Sequence, residues 1–220
     1  MKLLRQVVSR PKERLWKYPR LGTPFKTPLY KYLEHQVGNI KCLESTFKFS
    51  LHASRELGEW CADTVWTYAL EEKGLAKIEW DLNKTFNHTH HNGDTMPELD
   101  STKERLQSAN EHVAAYPIIG IGEDGSLSPK VRILRDELTA FFAHDTESKC
   151  IVFTKQRHTA RLLCRLFTQL TIRDIRPGLL IGVRAVDQGG NYTSLRQQFL
   201  TMSKFRKGEI NCLVIDRITL

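Results

Sequence analysis

The fold of this chain is decided by the stretch Ser148-Lys-Cys-Ile-Val-Phe-Thr-Lys-Gln-Arg-His-Thr-Ala-Arg-Leu-Leu-Cys-Arg-Leu-Phe167. Its segment Cys150–Phe153 is short, apolar and rich in β-branched and aromatic residues, which predicts a strand buried on both faces. After a polar turn, apolar residues recur at the i, i+3, i+4 and i+7 spacing of one helix face. They are Ala160, Leu163, Cys164 and Phe167. A strand followed by such a helix is typical of a parallel α/β sheet.

The turn between this strand and helix carries the candidate binding residues. Thr154, Lys155 and Arg157 can all donate hydrogen bonds, and they follow the carboxyl end of a strand, where open α/β sheets bind ligands. Gly182 and Arg184 come at the end of the next predicted strand, at the same edge. Together these residues predict a surface for a phosphate backbone. The alternative is that they are ordinary helix-cap and surface residues.

Two further strands are predicted, at 178–183 and 210–215, with a helix from Ser194 to Gly208 between them. Strand, helix, strand, helix, strand with short links predicts a parallel βαβαβ sheet. The last strand is apolar on both faces, and few residues follow it. We therefore expect part of its surface to be uncovered.

Proline, glycine and charge divide the chain into three predicted parts. Residues 1–27 form a basic, proline-rich lead-in. Residues 28–125 form a helical bundle that begins at the cap Thr27 and at Pro28, which suits the first helical position. Residues 126–220 form the partial sheet with its helices, the first of which begins at the cap Ser128 and at Pro129. The fold class is therefore α/β, with the helices before the sheet.

Charge is divided unevenly along this chain of 220 residues, whose formal net charge is +8 at pH 7. Residues 1–31 hold nine Lys or Arg and one Glu, whereas residues 32–147 hold eleven basic and twenty acidic residues. Residues 148–220 hold thirteen basic and four acidic residues. The basic ends are candidates for binding a polyanion. The alternative is that these lysines and arginines are ordinary solvated surface.

The five cysteines are odd in number and form no C-x-x-C pair. This predicts buried thiols in a reducing compartment rather than disulfides or zinc ligands. No apolar run approaches the ~18 residues of a membrane span, and Arg5 interrupts any signal-peptide core. We therefore expect a soluble intracellular protein, cytoplasmic or nuclear, without a membrane partner.

A polar segment with three histidines, Asn87–Asp94, could in principle hold a metal ion. No cysteine or carboxylate lies at a fixed helical spacing from these histidines. Spacing therefore favours a polar loop over a metal site.

Several motifs after residue 128 resemble the second RecA-like lobe of superfamily 2 helicases, and most of all the fungal Dicer-like proteins. They are Ile151-Val-Phe-x-x-x-Arg157, Arg176-Pro-Gly178, Leu195-Arg-Gln-Gln198 and Lys204-Phe-Arg-Lys-Gly208. Earlier segments resemble the helical insertion that interrupts this lobe in Dicer. They are Arg10–Glu13, Thr27–Tyr30 and Glu56–Asp63. The resemblance implies a helical insertion bundle followed by the first part of a RecA-like lobe.

The resemblance also implies a function for the complete enzyme, which would process double-stranded RNA in RNA silencing, with ATP and Mg²⁺ as cofactors. This chain has no G-x-x-x-x-G-K-[ST] phosphate loop, no acidic box after a strand and no ribonuclease III signature. Its end, Val214–Leu220, departs from the family pattern. We expect a fragment that is inactive alone and holds no cofactor. Its partners would be double-stranded RNA and the first helicase lobe and nuclease region. The alternative is a non-catalytic α/β protein, derived from a helicase, that binds nucleic acid or a partner.

Overall fold

The structure, a computed structural model, describes residues 26–89, 97–118, 120–122, 126–172, 174–182 and 193–216. Its helices are α1 (Pro28–Val37), α2 (Glu44–Glu56), α3 (Glu59–Leu70), α4 (Glu72–Thr89), α5 (Pro97–Ala115), α6 (Pro129–His144), α7 (Arg157–Leu170) and α8 (Leu195–Lys207). A 3₁₀ turn covers Lys41–Leu43, and the strands are β1 (Cys150–Thr154), β2 (Pro177–Leu180) and β3 (Cys212–Asp216). The predicted lead-in lies outside the described residues except for its last two. None of the helices described has the length and apolar character that a membrane span needs.

Two helices begin where the sequence predicts, because each has a hydroxyl cap followed by proline. The Thr27 hydroxyl accepts a hydrogen bond from the Tyr30 amide at 3.2 Å, and the Ser128 hydroxyl accepts one from the Val131 amide at 3.3 Å. Proline suits the first helical position because an amide there has no partner within the helix. Ser194 caps α8 in the same way at 3.1 Å. All three predicted helix starts are confirmed.

The sheet has three parallel strands in the order β1-β3-β2. The chain passes from β1 through α7 to β2, and from β2 through α8 to β3. All five residues of β3 are buried, since it lies between two neighbours. The predicted α/β fold class is confirmed: a helical bundle is followed by a three-stranded parallel sheet of βαβαβ type.

Two predictions about individual strands are wrong. The first strand, predicted to be buried on both faces, lies at the edge of the described sheet, and its Phe153 is 51% exposed. The last strand, predicted to be partly uncovered, is the central one, because β1 and β2 pair with its two edges. Strand order in a parallel sheet need not follow chain order, so two apolar runs of similar composition do not reveal which is central.

The histidine-rich segment is helical at its start. Helix α4 continues to Thr89, so the predicted polar loop is wrong for residues 87–89. Residues 90–94 lie outside the described residues. In the part of the chain that the structure describes, no three His, Cys, Asp or Glu side chains are grouped as a metal site would need.

The helical bundle contains an aromatic core. Trp66 is fully buried, and its indole N–H donates to the Ser50 hydroxyl oxygen at 3.1 Å. The Phe47 ring lies edge-on to it with centroids 4.6 Å apart, and Tyr30 packs edge-on against both rings. Such pairs add about 0.5–1.5 kcal/mol to the burial of the rings. Trp60 is buried as well, so both tryptophans are core residues rather than platforms for stacking bases.

A second core joins the bundle to the sheet. Helix α7 lies between them, and its apolar stripe packs against both. Buried side chains from α3, α6, α7 and β3 meet there, among them Trp60, Val65, Phe142, Leu163, Phe167 and Val214. The predicted boundary near residue 125 stays a prediction, but this core extends across it.

Backbone contacts between Gly58 and residues 126–128 also join the two sides of that boundary. This residue has a φ of +115°, and a Cβ there would lie 2.4 Å from the Ser126 carbonyl oxygen. The Ser128 amide donates to the Leu57 carbonyl at 2.9 Å, and the Ser128 hydroxyl donates to the Glu56 carbonyl at 2.8 Å. The junction between bundle and sheet is therefore fixed by direct hydrogen bonds as well as by apolar packing.

Phe167→Ala should destabilise the bundle and the sheet together. Phe167 is 1% exposed in the shared core, and truncating a buried phenylalanine costs about 3–5 kcal/mol. Guanidinium unfolding followed by tryptophan fluorescence and by circular dichroism should give one transition, shifted equally for both probes. Phe199→Ala is the matched control, because Phe199 is 73% exposed and its loss should change the free energy of unfolding by less than ~0.5 kcal/mol. Two transitions, with one of them unmoved, would contradict a shared core.

A carboxyl group is buried inside the bundle. Asp63 on α3 is 2% exposed, and its Oδ1 accepts a hydrogen bond from the Thr27 hydroxyl at 2.6 Å. Burial raises the pKa of Asp63 from 3.8 to about 6, and Glu59 adds to the rise, while the Thr27 hydrogen bond opposes it. The folded chain therefore holds this proton more tightly than the unfolded chain does.

Asp63→Asn should flatten the pH dependence of stability. The contribution of protonated Asp63 is fully present below a pH of 3.8 and is lost as pH rises through about 6. At neutral pH the folded state holds a buried charge, so the Asn variant should be more stable there by on the order of 1–3 kcal/mol. Glu59→Gln should give a smaller gain in the same direction. Urea unfolding at several pH values measures this, and a pH-independent difference between Asp63→Asn and the wild type would rule the explanation out.

Candidate nucleic-acid interface

The carboxyl edge of the sheet brings the predicted binding residues together. Thr154, the last residue of β1, is the direct register partner of Asp216, the last residue of β3. Leu180 ends β2 opposite Ile215, so Gly182 follows two residues later at the same edge. Parallel register thus places the ends of all three strands side by side.

Arg157, the first residue of α7, is held across this edge. Its Nε donates to Asp216 Oδ2 at 3.1 Å, with the two side chains 22% and 0% exposed. A Cβ at Gly182 would lie 3.0 Å from Arg157 Nη2, so glycine leaves room for the guanidinium group. Part of the donor capacity of Arg157 is therefore used inside the protein. Arg184, the other predicted arginine, lies outside the described residues.

The Thr154 hydroxyl also has partners within the fold. It lies 3.2 Å from the Ile215 carbonyl oxygen and 3.1 Å from that of Gln156. A hydroxyl has a single proton, so these two carbonyls share it. The group links the end of β1 to β3 and closes the turn, and a phosphate would have to displace one of these contacts.

Lys155 is the exposed member of the predicted set. Within the described ranges, no hydrogen bond or ion pair holds its ammonium group. The next residue, Gln156, precedes α7 without a side-chain capping bond. A mobile point charge beside a helix N-terminus is an arrangement that suits a phosphate group.

Further cations approach the turn from the bundle and from α6. Burial lowers the pKa of His52, and Arg55, Lys130 and Lys155 lower it further through their positive charge, while Glu56 opposes them. Glu56 itself is held by Lys130 at 2.6 Å. Charges of both signs from the turn, α2 and α6 therefore act on His52, and Glu56 offsets Lys130. Local sequence patterns miss this region, because His52 and Lys155 are far apart in the chain.

Ring contacts fix α7 against the bundle beside this region. The Phe49 and His158 rings lie with centroids 4.4 Å apart, and the Arg165 guanidinium lies over the Tyr68 ring at 4.5 Å. Both contacts join α7 to the helices before it. The turn that precedes α7 is thus supported from the bundle side.

The cysteines add no reactive group here. All five are free thiols, of which Cys61 and Cys212 are buried and the other three partly buried. Burial raises the pKa of Cys42 and of Cys164 to about 11 and raises that of Cys61 further. A thiol that stays protonated is a poor nucleophile and a poor metal ligand.

The sequence is similar to fungal Dicer-like proteins along almost its whole length. Dicer-like protein 1 of Aspergillus clavatus is 49% identical over 214 residues, and that of Aspergillus niger is 47% identical over 215. The chain is related to the fungal Dicer-like proteins. Dicer-like protein 1 of Pyricularia oryzae is 34% identical over 226 residues. These matches take in 96%, 97% and 98% of the chain but 14% of each relative, so the chain corresponds to one segment of them.

No protein-family model matches the chain. The helicase domain of Pyrococcus furiosus Hef is 17% identical with a TM-score of 0.37, over 86% of this chain and 34% of that one.

Thr154→Val should lower the free energy of unfolding by about 1 kcal/mol. The change removes the hydrogen bond that the Thr154 hydroxyl donates to the Ile215 and Gln156 carbonyl oxygens. Thr168→Val is the matched control. The Thr168 hydroxyl donates at 3.0 Å to the Cys164 carbonyl one turn back on the exposed side of α7, so its loss should cost less. Urea unfolding of both variants tests the comparison. Equal losses would mean that the Thr154 hydroxyl does not tie the strands together.

Proposed function

We propose that this chain is a segment of a Dicer-like enzyme that processes double-stranded RNA, and that the carboxyl edge of its sheet contacts the RNA phosphate backbone. The relatives named Dicer-like protein 1 support the enzyme class. The observation that carries the RNA contact is Lys155, an exposed ammonium group at this edge with further cations beside it. Open α/β sheets bind their ligands at the carboxyl ends of the strands.

The residues at this edge suit phosphate better than bases. Lys155 offers a point charge, and Gly182 offers a backbone amide without a side chain in the way. Thr154 and Arg157 would add the donors that the fold leaves them, and Arg184 is proposed as a further phosphate-binding residue. Contacts of this kind position a duplex but do not read its sequence.

The bundle side would add to the same surface. Arg55 and Lys130 lie close enough to His52 to lower its pKa together with Lys155. A duplex seated on the turn would meet these charges next, because the shared core fixes the bundle against the sheet. Phosphate binding would in turn favour the protonated form of His52.

The complete protein is proposed to act in RNA silencing as a helicase and ribonuclease. ATP and Mg²⁺ would bind in parts of the enzyme that this chain does not contain, since it has no phosphate loop and no acidic box. The partners of this segment would be double-stranded RNA, the first helicase lobe and the nuclease region. A cytoplasmic or nuclear location follows from the same proposal.

A second candidate function is binding of a protein partner without catalysis. It is favoured by three exposed apolar side chains on α8: Leu195 at 60%, Phe199 at 73% and Leu200 at 46% exposure. Large apolar groups exposed side by side are common at interaction sites. This candidate and the RNA contact use different surfaces, so variants can separate them.

Lys155→Gln should weaken binding to double-stranded RNA of any sequence. Fluorescence anisotropy would follow binding of the full chain to two labelled duplexes of unrelated sequence over a range of salt concentrations. Loss of one phosphate contact should reduce the slope of log affinity against log salt by roughly 0.9. Lys73→Gln is the matched control, because this exposed lysine on α4 carries the same charge on another helix and should leave the slope unchanged.

Three results would count against the proposal. Equal effects of the two lysine variants would point to net charge alone. A loss confined to one duplex would indicate base readout. Absence of binding to either duplex by the wild-type chain would contradict the RNA contact itself.

A further inference from the structure

The guanidinium group of Arg157 has a partner that limits what it can bind. Its Nε donates to Asp216 Oδ2 at 3.1 Å, and the Asp216 side chain is fully buried. We propose that Asp216 neutralises Arg157 and thereby sets how strongly the carboxyl edge of the sheet binds phosphate. This inference rests on the proposed RNA contact and concerns the regulation of that same surface.

Geometry shows why the pair is persistent. Asp216 lies at the end of the central strand, beside Thr154 in the register, so backbone pairing holds its carboxylate in place. Arg157 begins α7, whose apolar stripe is anchored in the shared core. Gly182 leaves space for Arg157 Nη2, from which a Cβ would be only 3.0 Å away. Each member of the pair is therefore held by a different element of the fold.

The energetics favour the carboxylate over an incoming phosphate. A phosphate that takes Arg157 away would remove the charge-assisted hydrogen bond of Arg157 from the buried Asp216 carboxylate, and breaking a buried ion pair is strongly unfavourable. A phosphate that approaches with the pair intact meets a net charge near zero. Lys155 has no such competitor within the described residues. Of the two cations at the turn, Lys155 then contributes to binding and Arg157 contributes little.

Asp216→Asn tests the idea, because asparagine keeps the shape and one oxygen acceptor but removes the charge. Binding to a labelled RNA duplex should become several-fold tighter, and the slope of log affinity against log salt should grow by roughly 0.9, the value for one more phosphate contact. Arg157→Gln added to this variant should abolish the gain. A buried pair with a purely structural role would not change the salt slope in this way.

Asp136→Asn is the matched control. Asp136 on α6 forms an exposed pair with Arg135 at 2.9 Å, so this change removes the same charge from another Asp–Arg pair of the chain. It should leave the affinity within about twofold. Thermal unfolding of every variant by circular dichroism shows whether it is folded.

Arg157→Gln alone keeps the inference testable if Asp216→Asn does not fold, since glutamine can still donate to Asp216. It should reduce affinity and salt slope by less than Lys155→Gln does, and a loss as large as that of Lys155→Gln would overturn the inference. Asp216→Asn binding no tighter than the wild type would overturn it as well. If Asp216→Asn binds no tighter but Lys155→Gln still weakens binding, the proposed RNA contact stands and only the role of Asp216 is contradicted. Failure of every variant to bind RNA would overturn both.

Discussion

Burial of the apolar stripe of α7 is the constraint on which the rest of this structure depends. The stripe, which includes Leu163 and Phe167, is covered by the sheet on one side and by the bundle on the other. Neither neighbour could cover it alone, because α7 would then leave a row of large apolar side chains in water at about 1.5–3 kcal/mol each. The packing of this one helix therefore fixes the bundle and the sheet against each other.

The same packing determines where the polar edge lies. Because α7 starts directly after β1, its anchored stripe holds the β1–α7 turn above the ends of the strands. Register then places Thr154 beside Asp216, and Arg157 reaches across to the Asp216 carboxylate. Charges of α2 and α6 act on His52 together with Lys155, and the backbone contacts of Gly58 and Ser128 hold α2 and α6 against each other. The candidate interface is thus a consequence of core packing.

Sequence patterns predict the local parts of this arrangement well. Hydroxyl caps before Pro28 and Pro129, and the α7 periodicity, depend on neighbours within a few residues, so they can be seen without the fold. Patterns fail where the answer depends on strand order: the apolar run predicts an interior position for Phe153, which is exposed. The pair between Arg157 and Asp216 spans 59 residues, and no local pattern marks it. Nothing in the sequence around His52 indicates that Lys155 approaches it.

A count of basic residues therefore overstates what this edge offers to a polyanion. Thr154, Lys155 and Arg157 are equivalent in the sequence as donors, but the fold uses the Thr154 hydroxyl to join two strands and Arg157 to neutralise a buried carboxylate. The donors that stabilise the end of a parallel sheet and those that bind a ligand there are drawn from the same few side chains. A residue at such an edge is available to a ligand only if the carbonyl and carboxylate groups at the strand ends have their hydrogen-bond partners without it. By this criterion Lys155 is the residue of the three that the fold leaves available.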